Sequence, residues 1–260
     1  GTVVTGTVIS GSLSSKDEAV LLPSGDEIRV RGIQTHGQDV ESAHVGARAA
    51  VNITGVEIED VERGDLLCEP GYFDTTYMID VRLHALADAP APIKNRSRVH
   101  LHLGPREVLA RVVLLESDEL APGGSELAQL RLEEPGVAAK GDRFVIRRYS
   151  PVVTLGGGIV LDARPTKHAR LREGVNKGIR LLEAEDPLAV LKARLQALEW
   201  ASATLGDVAS DLAISEAEAH SLLDQLQTDG VVVTFASGGQ NRYVHAESIN
   251  ELKEEIQTVT

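Results

Sequence analysis

Cysteine and long apolar runs are both scarce in this sequence, and each shortage excludes a class of protein. The 260 residues include one cysteine, Cys68, which leaves no partner for an internal disulfide or for a cysteine-rich metal site. We expect Cys68 to be a small buried hydrophobe on a strand. No run approaches the roughly 18 uninterrupted apolar residues that a membrane span needs, and no secretory signal opens the sequence. We therefore expect a soluble protein of the reducing cytoplasm, without a membrane partner.

Motifs for nucleotide hydrolysis are missing as well. The phosphate-binding pattern Gly-x-x-x-x-Gly-Lys-Ser/Thr does not occur, and the run from Asn176 to Gly178 lacks the carboxylate that guanine recognition requires. The glycines at 156, 157 and 158 precede a strand-like segment and not a helix, so we expect them to make a tight bend between strands. The sequence predicts no catalytic residue and no bound cofactor for this chain.

Charge is distributed unevenly along the chain. The net charge is -13, but residues 1–71 and 168–260 each carry -7 whereas residues 72–167 carry +1. The middle part is thus the one expected to face phosphates. If residues 94–98 formed one strand, the cations at positions 94, 96 and 98 would share one face of it, and two further arginines are adjacent at 147 and 148. These candidates for a nucleic-acid backbone are Lys94, Arg96, Arg98, Arg147 and Arg148; a solvated strand face is the alternative.

Histidines give a weaker signal for a metal site. His100 and His102 lie two apart on a predicted strand and so share one face, and they would bind a metal ion only if a third ligand such as His84 converged on them. No carboxylate or thiolate has a helpful spacing, and we expect no metal site. A metal hydrolase built on these histidines is the enzyme alternative.

The hydrophobic periodicity divides the chain into β-rich and helical parts. Residues 1–71 contain short β-branched runs between turn signals, which predict a small β-barrel, and residues 72–167 predict a second antiparallel barrel. The strands expected in the second barrel are 78–86, 98–103, 108–115, 127–132, 143–148 and 158–161. The predicted class is therefore mainly β, with two antiparallel barrels ahead of a helical region.

A period near 3.6 begins after residue 165. We expect a connecting helix over 168–185, a winged-helix domain over 186–246 and the start of a further helix over 247–260. Asp186 with Pro187 predicts a helix start, Ser215 with Glu218 predicts a capping box, and Gly230 predicts a helix end. The order is helices at 187–200, 205–212 and 216–228, then strands at 231–235 and 242–245.

Six segments in order resemble one protein family. They are Gly-Thr-Val-Val-Thr-Gly-Thr-Val at 1–8, Arg-Val-Arg-Gly-Ile-Gln at 29–34, Val-Gly-Ala-Arg-Ala-Ala-Val-Asn at 45–52, Glu-Arg-Gly-Asp-Leu-Leu at 62–67, Val-His-Leu-His-Leu-Gly at 99–104 and Leu-Gly-Gly-Gly-Ile-Val-Leu-Asp at 155–162. Together they resemble the selenocysteine-specific elongation factors, which are translational GTPases. The first segment starts within a strand and without Met, so the resemblance implies a fragment whose parent begins upstream with a GTPase domain.

The resemblance implies function as well as fold. The barrels would be domains II and III of a factor that brings selenocysteinyl-tRNA to the ribosome for incorporation at UGA codons. GTP and Mg²⁺ would bind in the GTPase domain, and later winged helices would bind the selenocysteine-insertion hairpin of the messenger RNA. The first winged helix would be a spacer, since its would-be recognition helix carries Glu216, Glu218 and Asp224 and no cation.

Arg48 is the most informative candidate in the first barrel. It opens an otherwise apolar run, and a charge there needs an anionic partner. The resemblance places it in the aminoacyl pocket, with Arg63 and His36 as further candidates. A selenol is more acidic than a hydroxyl, so a fixed guanidinium would favour selenocysteine over serine. An internal ion pair for Arg48 is the alternative.

Two other functions remain open from the sequence. Another translational GTPase, of the Tu type or an initiation factor, would carry an ordinary aminoacyl pocket, although an appended winged helix argues against it. A transcription regulator with ligand-sensing barrels would need cations on the helix at 216–228.

Overall fold

A computed structural model describes residues 1–183, 186–198, 201–212 and 214–249. The chain forms two compact units. The first comprises Gly1–Thr75 with the short segments Pro105–Glu107 and Pro135–Val137, and the second comprises the rest of the described chain. In the described part, no helix is both long and apolar enough to cross a membrane.

The first unit is built on a six-stranded antiparallel sheet. The strands of this unit are β1 Thr2–Thr7, β2 Ser12–Ser14, β3 Glu18–Leu22, β4 Asp26–Thr35, β5 Gln38–Val40, β6 Ser42–His44, β7 Arg48–Thr54 and β8 Leu66–Cys68. Five of them follow one another in the order β1, β7, β4, β3, β8, with β5 beside β4, while β2 and β6 form a separate ribbon. A 3-10 turn, Ile58–Asp60, precedes β8. Alternation along β7 buries Ala49, Val51 and Ile53 and turns the other side chains outward, as the period of a strand requires.

Cys68 ends β8, so it lies on a strand as expected, but it is half-buried and thus less buried than we expected. Burial nevertheless raises the pKa of its thiol.

The second unit contains a closed six-stranded barrel. The strands that follow are β9 Thr76–Ala85, β10 Ile93–Lys94, β11 Arg98–Leu103, β12 Arg106–Leu114, β13 Glu119–Leu120, β14 Ser125–Gly136, β15 Arg143–Arg148 and β16 Thr154–Asp162. The barrel closes in the order β11, β12, β14, β9, β16, β15, and a short ribbon of β10 and β13 lies apart from that circuit. All six predicted strands of this barrel are confirmed. Its core is aliphatic apart from Phe144.

The glycine run at 156–158 does not make a bend, and that prediction was wrong. The three glycines lie inside β16, between β9 and β15. A Cβ atom would lie 2.1 Å from the carbonyl oxygen of His84 at position 156, 2.4 Å from that of Phe144 at 157, and 1.9 Å from that of Arg82 at 158. Neighbouring backbones therefore approach β16 too closely for any side chain, which explains the run without a turn.

The expectation of one strand carrying three alternate cations was also wrong. β10 ends at Lys94 and β11 begins at Arg98, with a turn between them that is closed by the hydrogen bond from Ser97 N to Lys94 O, 3.0 Å. Arg96 has φ 66°, and its N–H bonds Val112 O at 2.7 Å. A left-handed residue reverses the chain, so the three side chains do not alternate along one strand.

The helical part follows the predicted order. Its elements are α1 Glu173–Leu181, α2 Pro187–Ala197, α3 Leu205–Leu212, α4 Glu216–Thr228, β17 Val232–Ser237 and β18 Gln240–His245. The Asp186 carboxylate accepts a hydrogen bond from Leu188 N, and Ser215 and Glu218 form the reciprocal capping box. Gly230 follows α4 with φ 71°. Residues 246–249 are helical, whereas the predicted end of α2 at 200 and the remainder of the last helix lie outside the described residues.

The first helices pack against the outside of the barrel. Val113 of β12 and Leu115, which follows that strand, belong to an apolar cluster on this side of the barrel. The helical part contributes Ile179 from α1, Leu182 just after it and Val190 from α2. Beside it lies an ion cluster, in which Arg194 bonds Asp162 and also Asp211, the latter at 3.0 Å, while Arg164 bonds Asp211 at 3.1 Å. Burial alone would lower the pKa of Arg194, but the facing carboxylates raise it. The helical part is thus joined to the barrel by apolar and ionic contacts.

Candidate nucleic-acid interface

Arg48 and His36 lie at the same end of the first sheet. Arg48 is the first residue of β7 and pairs with Thr7 of β1, while the next residue, Ala49, pairs with Thr35 at the end of β4. His36 follows Thr35 directly and makes the two-residue turn into β5 with Gly37, at φ 52° and 77°. Such paired left-handed residues are typical of a tight hairpin, and here they hold an exposed imidazole beside the start of β7.

The Arg48 guanidinium is exposed. Among the residues that the structure describes, it makes no ion pair and no side-chain hydrogen bond, so the alternative of an internal ion pair finds no support in that part of the chain. Its β7 neighbour Ala49 points into the core, and alternation therefore directs Arg48 away from the core. An uncompensated guanidinium at the end of a sheet can donate hydrogen bonds to a carboxylate, a phosphate or a selenolate.

Arg63 lies elsewhere. It lies just before β8, and the first residue of β8, Leu66, pairs with Leu22, the last residue of β3. The end of β3 lies beside the start of β4, so Arg63 is near that end of β4. Arg48 lies beside the other end of β4, and a strand of ten residues spans about 30 Å. The registers therefore separate Arg63 from Arg48 and His36.

The turn that contains Arg63 is held by other residues. Glu62 N bonds the Asp65 carboxylate at 2.7 Å, and that carboxylate also accepts from Arg106 at 2.7 Å. Arg63 itself is exposed and makes no side-chain hydrogen bond or ion pair with any described residue, so it does not hold the turn.

Two apolar side chains at the Arg48 end were missed by sequence reasoning. Ile9 is 69% exposed and Val45 is 63% exposed. Backbone bonds tie their loops together, from Gly46 N to Val8 O at 2.8 Å and from Val45 N to Gly11 O at 3.0 Å. Their flanking glycines predicted turns, but only the paired loops show that both side chains lie near the start of β7.

A stack of three side chains marks the outer face of the second barrel. The rings of His100 and Tyr149 lie 5.5 Å apart at 11°, and the Arg98 guanidinium lies 4.7 Å from the centre of the Tyr149 ring. Arg98 also donates to Glu133 through Nε at 2.9 Å. The hydrogen bond to Glu133 raises the pKa of Arg98, and in return Arg98 lowers the pKa of Glu133. Tyr149 was not among the predicted residues, because a lone tyrosine after two arginines gives no sign of a stack.

The other predicted cations of this barrel are differently placed. Arg147 and Arg148 end β15, where they pair with His100 and Val99 of β11, and both are half-buried. Lys94 and Arg96 are exposed around the turn that follows β10. The structure therefore places Arg98, Arg147 and Arg148 on the paired strands β11 and β15.

The histidines do not form a metal centre. No group of three or more His, Cys, Asp or Glu side chains within the described ranges could hold a metal ion. His84 on β9 is separated from His102 on β11 by the two intervening strands β16 and β15. At about 4.8 Å per strand step, the two histidines are too far apart to share one ion.

α4 is acidic on its exposed face. Glu216, Glu218 and Asp224 are exposed, and His220 bonds Asp224 at 2.9 Å. The hydrogen bonds from Ser215 lower the pKa of Glu218. An acidic surface of this kind is unfavourable for binding phosphates and does not fit a helix that reads DNA.

Comparisons with known proteins agree with this architecture. Residues 80–167 match the family description of the β-barrel domain of selenocysteine-specific elongation factors, and residues 1–68 match that of elongation factor Tu domain 2. The selenocysteine-specific elongation factor of Desulfomicrobium baculatum is 41% identical over 162 residues, which cover 62% of this chain and 26% of that protein. The selenocysteine-specific elongation factor of Haemophilus influenzae is 29% identical over 188 residues, which cover 72% of this chain and 30% of that protein.

The crystal structure of a bacterial selenocysteine-specific elongation factor has the same fold. The two structures superpose with a TM-score of 0.74 at 23% sequence identity. The match covers the whole of this chain and 39% of the chain in that crystal structure. The chain thus spans about a quarter to two fifths of the length of these proteins.

Proposed function

We propose that this chain is a member of the family of selenocysteine-specific elongation factors and forms the tRNA-binding part of a GTP-dependent factor that brings selenocysteinyl-tRNA to the ribosome at UGA codons. The match of residues 80–167 supports this factor over one of the Tu type or an initiation factor, since it is to the barrel of the selenocysteine-specific group. The acidic α4 disfavours the transcription regulator.

We assign roles by region. Residues 1–71 form a barrel that receives the aminoacyl group, and residues 72–167 form a barrel that contacts the tRNA. After the connecting helix at 168–185, residues 186–246 form a winged helix that acts as a spacer. Three helices and a hairpin in that order support this assignment. The messenger hairpin would bind later domains of the whole factor.

Nothing in the sequence of this chain fits a GTP site, since the phosphate-binding motif does not occur in its 260 residues. GTP and Mg²⁺ belong in this proposal to the GTPase domain of the whole factor. This chain's residues would bind cargo and perform no chemistry.

The observation that carries the proposal is the uncompensated guanidinium of Arg48. A selenolate is charged at neutral pH, whereas the hydroxyl of serine is not, so the charge-assisted contact forms with one cargo only. Such a contact contributes about 1.5 to 3 kcal/mol, which corresponds to roughly tenfold to 150-fold in affinity. His36 lies on the same side, and the apolar Ile9 and Val45 offer surface to the neutral parts of the terminal aminoacyl nucleotide.

The second barrel would position the tRNA through its backbone. Arg147 and Arg148, and the exposed Lys94 and Arg96, supply charge without reading bases. Arg98 contributes less net charge because Glu133 neutralises it.

The test is Arg48→Ala in the full factor. Binding of selenocysteinyl-tRNA and of seryl-tRNA is measured with GTP present. We expect selenocysteinyl-tRNA to lose at least about tenfold in affinity and seryl-tRNA to lose less than about threefold. Arg63→Ala serves as the comparison, since the registers place it beyond the other end of the sheet. Equal losses for both cargoes would refute the selectivity argument, and a selective loss with Arg63→Ala would move the pocket to the opposite end.

A further inference from the structure

A cleft of about 270 Å³ opens beside the stacked side chains of the second barrel. It lies between the beginning of β11 and the end of β15, where the backbone bond from Arg148 N to Val153 O, 2.8 Å, closes the hairpin. Its size is just below the roughly 300 Å³ at which small-molecule pockets begin, so it suits one small group and not a duplex. Its lining residues are Pro92, Ile93, Ser97, Arg98, Val99, Arg148, Tyr149, Ser150 and Leu155.

The cleft carries one uncompensated positive charge. Arg98 is neutralised by Glu133. Arg148, in contrast, has neither an ion pair nor a side-chain hydrogen bond among the described residues. Ser97 and Ser150 line the same space, and a serine hydroxyl can donate a hydrogen bond. A guanidinium with nearby hydroxyls is a suitable partner for a phosphate group.

The rest of the lining is aromatic and apolar. Tyr149 is 46% exposed, and its ring is already held by His100 and Arg98. The stack therefore loses little conformational freedom when a ligand packs against it. Apolar side chains, among them Ile93 and Leu155, form the floor of the cleft. Proteins bind unpaired bases with aromatic side chains and guanidinium planes of this kind, whereas paired bases in an RNA duplex are not accessible to them.

We propose that this cleft binds one unpaired nucleotide of RNA, with its phosphate on Arg148 and its base against Tyr149 and the apolar floor. The inference rests on the proposed function in one respect, namely that the RNA is the tRNA carried by the factor. It goes beyond the backbone role of these arginines, because it assigns a base contact to this barrel.

The test uses this chain and a short single-stranded RNA, compared with an abasic strand that has the same phosphates. Affinities are measured by calorimetry, and amide shifts at 97–99 and 148–150 are followed by NMR. We expect the strand with bases to bind at least about tenfold more tightly than the abasic strand, with shifts at both segments. Arg148→Met should weaken both strands about tenfold, and Tyr149→Leu should remove most of the preference for bases.

The matched control is Arg143→Met, which removes one exposed charge from the other end of the same strand, β15. Equal losses for Arg143→Met and Arg148→Met would overturn the proposal in favour of general attraction to a basic surface. Equal binding of both strands by the unmodified chain, or shifts confined to other residues, would also overturn it. The NMR result decides the matter even where a variant is unstable. Failure here leaves the cargo test on Arg48 untouched, so the two proposals can fail separately.

Discussion

Gly158→Ala should destabilise the second unit strongly, because there is no room for a methyl group inside β16. The new Cβ would lie 1.9 Å from the carbonyl oxygen of Arg82 and 3.0 Å from the ring of Phe144. Ordinary contact needs about 3.4 Å, so β9 or β16 must move by more than about 1 Å, which breaks at least one ladder hydrogen bond. Overpacking costs about 1 to 3 kcal/mol and each lost bond about 1 kcal/mol, so we expect a loss of about 3 kcal/mol.

The assay is thermal and urea unfolding followed by circular dichroism. In a unit of this size each kcal/mol moves the melting temperature by about 2 to 4 °C, so the variant should melt roughly 6 to 12 °C below the parent. Gly178→Ala is the control, since Gly178 lies in α1 and a methyl group added there would meet nothing within 4 Å. This control should gain about 0.5 to 1 kcal/mol, as alanine is the better helix former. A Gly158→Ala variant that melts within about 2 °C of the parent would refute the close-approach argument.

Three further predictions concern stability. Ser215→Ala should cost about 1 kcal/mol through loss of the α4 cap, whereas Ser221→Ala, inside the same helix, should change stability by no more than a few tenths; urea midpoints compare them. Arg194→Met should cost about 3 to 5 kcal/mol, because it leaves the carboxylate of Asp162 without its guanidinium partner and that of Asp211 with Arg164 alone, and an unchanged urea midpoint would contradict this. Since its bond to Arg98 lowers the pKa of Glu133, the pair stabilises the fold above the ordinary carboxyl pKa and stops doing so as pH falls through the lowered value. The difference in melting temperature between the parent and Glu133→Gln should therefore become smaller as the pH is lowered. A difference that became larger in acid would contradict this pH dependence.

Local signals in the sequence predicted most secondary structure. Caps are short-range chemistry, so Asp186 and Ser215 identified the starts of α2 and α4 without knowledge of the fold. Strand alternation likewise located the six strands of the closed barrel. These signals depend on residues within a few positions of one another, which a single sequence contains.

Features that depend on distant partners were not predictable in the same way. The run at 156–158 looked like a turn because glycine favours turns, and only the neighbouring strands show that it fits a crowded ladder. Nothing about an arginine indicates a left-handed backbone, so the sequence did not predict the turn at Arg96. The alternate cations were therefore wrongly predicted to share one strand. Arg48 was singled out as a charge in an otherwise apolar run and through the family resemblance, but its separation from Arg63 follows only from strand register.

The apolar cluster between barrel and helices has a practical consequence for anyone who shortens this chain. Val113, Leu115 and Leu127 project from the barrel into that cluster, so part of the outer surface of the barrel is apolar and is buried by the helices. A piece cut soon after β16 would present these side chains to water and would leave Asp162 without Arg194. Such a piece should aggregate and express poorly, whereas one that retains α1 to α4 should remain soluble. For production and crystallisation, the smallest sensible second unit is the barrel together with its helices.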